Sequence, residues 1–216
     1  MKMGYLYRVV VVLVLFQGLC SPAWASVFFS EYIEGSGSNK AVEIFNGSGV
    51  SIDLSAYSVQ VFFNGSPTPG PTISLPSQVV LDGETFVLAH AGADTALSSA
   101  ANGFSGSLNF NGNDAVGLVF NNQLLDVIGQ IGVDPVLQWG GGDVGTEDHT
   151  MRRKPSVLTG DPVGTDPFDP SAQWVGFSQD TFDGLGQHTV IPEPRTLAIL
   201  AAGVLLVLRR HRRWCV

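Results

Sequence analysis

Ala115-Val116-Gly117-Leu118-Val119-Phe120, Asn121-Asn122 and Gln123-Leu124-Leu125-Asp126-Val127-Ile128 read as one hairpin. Two runs rich in aliphatic side chains flank a pair of asparagines. Asparagine tolerates the left-handed backbone that a two-residue hairpin turn demands. The same grammar extends outward in both directions: short runs of Val, Ile, Phe and Tyr, punctuated by Gly, Asn, Ser and Pro. Val27 to Ile33 predicts a strand. Ala41 to Phe45 predicts another, with Val42 and Ile44 alternating against Glu43 and Phe45, and Asn46-Gly47 closing it. Tyr57 to Phe63 is closed by Asn64-Gly65, and Thr85 to Ala89 follows the turn Asp82-Gly83. His149 to Arg153 and Gln173 to Phe177 are later strands. Ser66 to Pro71, with three prolines, must be loop, and residues 91–101 are a loop or a single helical turn. Seven or more short strands at this spacing make the domain all-β, an immunoglobulin-like β-sandwich, with a small barrel as the alternative.

The two ends of the chain differ from this middle. Lys2 and Arg8 precede an apolar run from Val9 to Phe16, and Ala23-Trp24-Ala25 has the form of a signal-peptidase site. Residues 1–25 are therefore expected to be a signal peptide, with Ala25 the last residue removed and Ser26 the first retained. Leu19-Cys20 is read as part of the discarded peptide, since the bulky leucine fits a lipoprotein site poorly. At the other end Pro192-Glu193-Pro194 precedes an apolar segment, Thr196 to Leu208, and then Arg209, Arg210, His211, Arg212 and Arg213. The prolines hold the backbone extended. This segment of 13 residues is short against the ~20 that usually span hydrocarbon. The four arginines that follow would orient a transmembrane helix with its C-terminus in the cytoplasm. This order resembles the PEP-CTERM sorting signal of Gram-negative bacteria, the tail on which exosortases act. An unprocessed tail anchor is the other reading. The expected division is residues 1–25 signal peptide, 26–188 sandwich domain and 189–216 sorting signal.

Cys20 and Cys215 both lie in the ends, so no disulfide supports the middle. Between Ser26 and Ile191 there are 18 acidic residues and only Lys40, Arg152, Arg153 and Lys154, a net charge near −14. Such a domain repels nucleic-acid phosphates as a whole. It suits a secreted protein, or one that collects divalent cations.

Phe29-Ser30-Glu31-Tyr32-Ile33-Glu34-Gly35-Ser36 and Asn39-Lys40-Ala41-Val42-Glu43-Ile44-Phe45-Asn46 resemble the opening of a bacterial lamin-tail domain. Ile52-Asp53-Leu54-Ser55-Ala56-Tyr57, Asn111-Gly112-Asn113-Asp114-Ala115-Val116 and Leu125-Asp126-Val127-Ile128-Gly129 continue the likeness. Thr150-Met151-Arg152-Arg153-Lys154 and Thr181-Phe182-Asp183-Gly184-Leu185-Gly186 complete it. The resemblance implies an immunoglobulin-like sandwich. It also implies an accessory module, because the larger enzymes to which similar modules are often joined have no room in this chain.

Asp143, Glu147, Asp148 and His149 lie in or beside the glycine-rich stretch Gly140 to Gly145. They are the candidate metal ligands, for calcium, although their spacing matches no EF-hand. The bland alternative is a solvated turn. Asp161-Pro162, Asp166-Pro167 and Asp169-Pro170 read as an ordered loop across one sandwich end. Arg152, Arg153 and Lys154 form the basic cluster of the domain. As ligand contacts they would meet phosphate or acidic polysaccharide. As strand residues they would pair with neighbouring acids, Arg152 and Lys154 sharing one face. Asn46-Gly47-Ser48 and Asn64-Gly65-Ser66 match a glycosylation pattern and are read as turns. His90, His149 and His188 are scattered, and no serine elbow, zinc helix, phosphate loop or cysteine nucleophile accompanies them.

The expected protein is a non-enzymatic surface or extracellular-matrix module, exported from a Gram-negative bacterium. It needs no cofactor, calcium being the one ion considered. As a precursor it sits in the inner membrane through its C-terminal helix; it then reaches the cell surface or the extracellular space. Signal peptidase and exosortase are its processing partners, and exopolysaccharide or a surface protein its final one, with nucleic acid disfavoured by charge. The rival readings are a DNA-binding accessory of a separate secreted nuclease and a small hydrolase whose site comes from distant loops.

Overall fold

A computed structural model describes residues 26–191. The signal peptide expected over residues 1–25, Pro192-Glu193-Pro194, the apolar tail segment and Arg209, Arg210, Arg212 and Arg213 lie outside the described residues. Among the described residues no helix is long and apolar enough to cross a membrane.

Among the described residues fourteen strands follow one another. They are β1 Val27–Glu34, β2 Lys40–Asn46, β3 Ile52–Asp53, β4 Tyr57–Phe62, β5 Thr72–Ser74, β6 Val79–Val80 and β7 Thr85–His90. Then come β8 Gly103–Ser105, β9 Ala115–Phe120, β10 Gln123–Ile128, β11 Gly140–Gly141, β12 Val144–Gly145, β13 His149–Arg153 and β14 Trp174–Ser178. A six-stranded sheet has the order β14-β13-β1-β2-β7-β8, and a four-stranded sheet the order β10-β9-β4-β5. All pairs in the two sheets are antiparallel except β7 with β8. The two sheets stay separate, so the architecture is the sandwich and not the barrel. Between them lies one apolar core, including Phe29, Tyr32, Ile44, Val59, Phe86, Leu118, Met151 and Trp174.

The hairpin predicted at residues 115–128 forms in register, Phe120 opposite Gln123. Asn121 and Asn122 take φ of 48° and 66°, the left-handed pair its turn requires. Residues 91–101 hold a single helical turn, α1 Thr95–Ser98, capped by the Asp94 carboxylate. Gln173 corrects the expectation for the last strand. It ends α2 Pro170–Gln173, because Asp169 caps a turn with proline at its start, and β14 begins at Trp174.

The alternation expected in β2 holds, with Val42 and Ile44 in the core between the sheets and Ala41, Glu43 and Phe45 on the outer face, but that face is not wet. All seven of its residues are buried, Glu43 and Phe45 included. The outer face of the six-stranded sheet is covered rather than wet. The α1 segment packs on it through Leu97 and Ala93, and a C-terminal strap, residues 179–191, through Phe182 and Leu185. The strap continues past the boundary drawn at residue 188. Val190 packs on Phe28 and Phe45, and the Ile191 N–H donates to Pro155 O at 2.7 Å.

The ends of the sandwich are distinct. Ser26 donates to Leu158 O and accepts from the Gly47 N–H, so the first described residue lies at the same end as Pro155 and Ile191. Opposite them lie the β1–β2 turn and the loops after β4 and β10. Asn113 Nδ2 donates to Asn64 Oδ1 and to Asp134 Oδ1, each at 3.1 Å, which joins the loops after β4 and β10 into one surface.

Candidate functional site

Charge is concentrated on the covered outer face. Antiparallel pairing places Glu31 opposite Glu43 on one side and opposite Arg152 on the other. The row Glu43–Glu31–Arg152 thus crosses three neighbouring strands, and both carboxylates are buried. Arg152 Nε lies 3.2 Å from Glu31 Oε2, and its guanidinium also pairs with Asp183 of the strap. The Ser30 hydroxyl and the Gly186 N–H each donate to Glu43 at 2.6 Å. Gly184 lies directly on the row: a Cβ there would collide with the Arg152 guanidinium and the Glu31 carboxylate. His188 packs edge-on against Phe28 and Phe45.

Burial pushes Glu31 up to about 7, with Arg152 opposing and Glu43 adding to the rise. Burial raises Glu43 as well. Burial, together with the Arg153 charge, lowers His188 to about 4. A carboxyl near 7 has the poise of a general acid or base. Here, however, the strap seals it from solvent, and no substrate can approach. The row therefore acts as a latch: it fastens the strap at its centre, while Phe182, Leu185 and Val190 fasten it by apolar contact. In sequence the latch shows only as acids at the centres of apolar strands, Glu31 and Glu43, a pattern that ordinarily marks a wet face.

A polar knot holds the far end of the sheet. Asn39 Nδ2 donates to Asp94 at 3.0 Å and Asp180 at 3.1 Å, and the Ser36 N–H and hydroxyl also reach Asp180. Lys40 pairs with Glu34 and donates to Gly35 O. These bonds tie the strap's first residues to the β1–β2 turn and to the cap of α1.

The candidate metal ligands are not gathered. Asp143 is exposed on the β11–β12 turn. The Glu147 N–H donates to Gln138, and Asp148 accepts from Gln179 while its N–H donates to Glu34. Among the described residues no three His, Cys, Asp or Glu side chains converge as metal ligands would. The three histidines occupy separate settings: His90 accepts from the Gly92 N–H, His149 contacts Glu147 O, and His188 belongs to the strap and packs on Phe28 and Phe45.

The basic cluster is divided. Arg152 belongs to the latch and stacks on Phe177, 4.1 Å from the ring centre. Arg153, only 3% exposed, pairs with Asp126 and lies 4.2 Å from the Trp174 ring centre. Lys154 donates to the carbonyls of Ser171 at 2.7 Å and Ala172 at 3.2 Å. As a ligand contact Arg153 is thereby corrected: its guanidinium faces the seam between sheets, out of reach of phosphate or polysaccharide. The pairing with acids expected of strand residues holds for Arg152 and Arg153, and nothing in the sequence marks Arg153 as the internal one.

Comparison with known proteins gives one family and one structural likeness. The family model described as Lamin Tail Domain matches residues 21–132. No curated protein matches the chain. Among solved structures, a DUF4876 family protein from Bacteroides thetaiotaomicron is similar at 14% identity and a TM-score of 0.41, over 80% of this chain and 73% of that one.

Proposed function

Because the chain belongs to the lamin tail domain family, matched over residues 21–132, we propose that it is an exported, non-enzymatic surface module. In this reading its C-terminal tail is a PEP-CTERM signal processed by an exosortase, and its sandwich binds an extracellular partner. The observation that carries the reading is the polarity of the sandwich. Ser26 and Ile191 leave from one end, and Pro192-Glu193-Pro194 follows Ile191 directly. The opposite end presents Phe63, Val133 and Leu137 to solvent. A tail fixed to the envelope would hold that far end outward, where loops bind in many sandwiches. Exopolysaccharide is the partner proposed, and the shortage of free basic groups argues against DNA.

The test is expression of the full chain in an exosortase-competent Gram-negative host and in its exosortase deletion. Mass spectrometry of the mature ends should find Ser26 at the start and a cut beyond Ile191 in the competent host alone. An intact tail in both hosts overturns the sorting assignment. Co-sedimentation of the processed chain with the host's exopolysaccharide, with and without calcium, then tests the partner.

A further inference from the structure

Three aliphatic side chains are exposed together at the end from which both termini leave. Val50 is 62% exposed, Val79 59% and Leu81 53%. They stand on the loop before β3 and on β6 with the residue after it, laced by the buried Asn46, whose Nδ2 donates to Val50 O at 2.8 Å and to Val80 O at 3.0 Å. The Gly49 N–H adds a bond to Asp82 at 2.8 Å. The patch is thus a built surface and not a frayed loop. Ser26 joins it through the Gly47 N–H, and Ile191 is held one turn away at Pro155, while Ser26 bonds Leu158 of the same turn.

The chain beyond this end says what covers it. Past Ile191 the sequence enters an apolar run, Thr196 to Leu208, closed by arginines; before Ser26 it holds another, Val9 to Phe16. Either run in a bilayer brings this end of the sandwich to the lipid headgroups within a few residues of extended chain. Exposed aliphatic groups on a surface so placed have an apolar partner at hand. The nearby acids do not forbid it. Asp82 accepts the Gly49 N–H, Asp53 the Ser55 N–H, and Glu84 the Leu81 N–H, so all three bond to backbone donors of their own loops. They do disfavour an anionic surface.

We propose that Val50, Val79 and Leu81 rest on the zwitterionic lipid surface of a bilayer while the chain is tail-inserted. The patch orients the domain, with its far loops turned away from the membrane. This rests on the reading that the C-terminal segment enters a membrane, and the experiment separates the two. The full chain, reconstituted in phosphatidylcholine vesicles, carries a photo-crosslinking side chain at position 79 or, as control, at position 137. Flotation reports tail insertion, and mass spectrometry reports lipid adducts. Co-flotation with adducts at 79 at least about tenfold above those at 137 supports the proposal. Val50→Asp with Leu81→Asp should leave flotation intact and lower the adduct at 79 by about tenfold. Anionic phosphatidylglycerol should lower it too. Co-flotation with equal adducts at 79 and 137, with none, or with protein–protein adducts at 79 overturns the proposal and leaves the tail reading standing. Failure to float refutes the tail reading, and the docking of this patch with it.

Discussion

Asp126 and Arg153 form an ion pair buried in the seam between the two sheets. Asp126 sits at the bulge of β10, where register shifts between Leu124 and Asp126. Its carboxylate accepts the Phe29 N–H at 2.8 Å, freed by the bulge of β1, and the Asp161 N–H at 2.7 Å. Arg153 returns a bond from Nε to Phe29 O at 3.0 Å. The pair therefore joins β10 of one sheet to β1 and β13 of the other, and it satisfies backbone groups that the bulges leave open.

Removing one partner should be costly because the other charge is stranded out of water. Asp126→Ala is expected to lower stability by ~3–5 kcal/mol, whereas Lys154→Ala should cost at most ~1 kcal/mol. Urea unfolding of both variants checks this. Near-equal effects would mean that Arg153 is not held as described, and its part in binding would reopen.

Stability against pH should expose the latch. Glu31 is raised from 4.5 to about 7 in the fold, so its contribution is complete below pH 4.5 and is lost as pH rises through 7. His188 is lowered from 6.5 to about 4, so its contribution is complete above 6.5 and is lost as pH falls through 4. The two slopes oppose each other over the same window. Glu31→Gln should make stability climb from pH 4.5 to 7, by up to ~3 kcal/mol relative to the parent, and His188→Phe should make it fall. Unfolding curves at pH 4.5, 5.5, 6.5 and 7.5 decide; parallel profiles for all three proteins would show that the strap does not bury these groups.

The sandwich was legible where local chemistry and fold agree. The Asn121-Asn122 turn, the six-residue runs beside it and Thr85 to Ala89 all carry strand signals that need no partner. Glu31, Glu43 and Arg153 were not legible, because charge in a strand ordinarily marks a wet face. Here the wet face is removed by residues 179–191, far away in sequence, and no period of two in β1 or β2 records that covering. The short strands β5 and β8 escaped for a related reason: three residues at a sheet edge carry too little pattern to be seen before their neighbours are known. The candidate metal loop is the opposite case. Asp143, Glu147 and Asp148 are near in sequence, which suits a calcium loop and a solvated turn equally; the ribbon of β11 and β12 separates them, as a solvated turn would.

Gly184→Ala should unseat the strap. The new methyl has no room against Arg152 and Glu31, and overpacking of this kind costs ~1–3 kcal/mol. The loss should be local. Amide exchange at Gly186 and Ile191, both donors in the strap, is expected to quicken, while Leu118 and Val119 in β9 keep their protection. Uniform quickening across both sheets would mean that the strap is integral to the core and not a fastened cover.

Val136 offers the reverse case, a substitution that should stabilise. It takes φ of 77° although β-branched, and its side chain is 77% exposed, so no packing compensates the strain. Asp134 imposes the conformation: its Oδ1 accepts the Val136 N–H at 2.7 Å and Asn113 Nδ2 at 3.1 Å. A left-handed residue with a Cβ costs ~1–2 kcal/mol, and glycine would return part of any gain as chain entropy, ~0.5–1 kcal/mol. Asparagine tolerates this backbone without glycine's freedom. Val136→Asn is therefore expected to gain ~0.5–1.5 kcal/mol, and Val136→Gly less. Thermal unfolding ranks them. The order Asn, Gly, Val from most to least stable supports a strained loop at this end of the sandwich. If valine proves the most stable of the three, Val136 is not strained there. Should Val136→Asn also weaken polysaccharide binding while raising the melting temperature, the strain serves to present this loop to its partner.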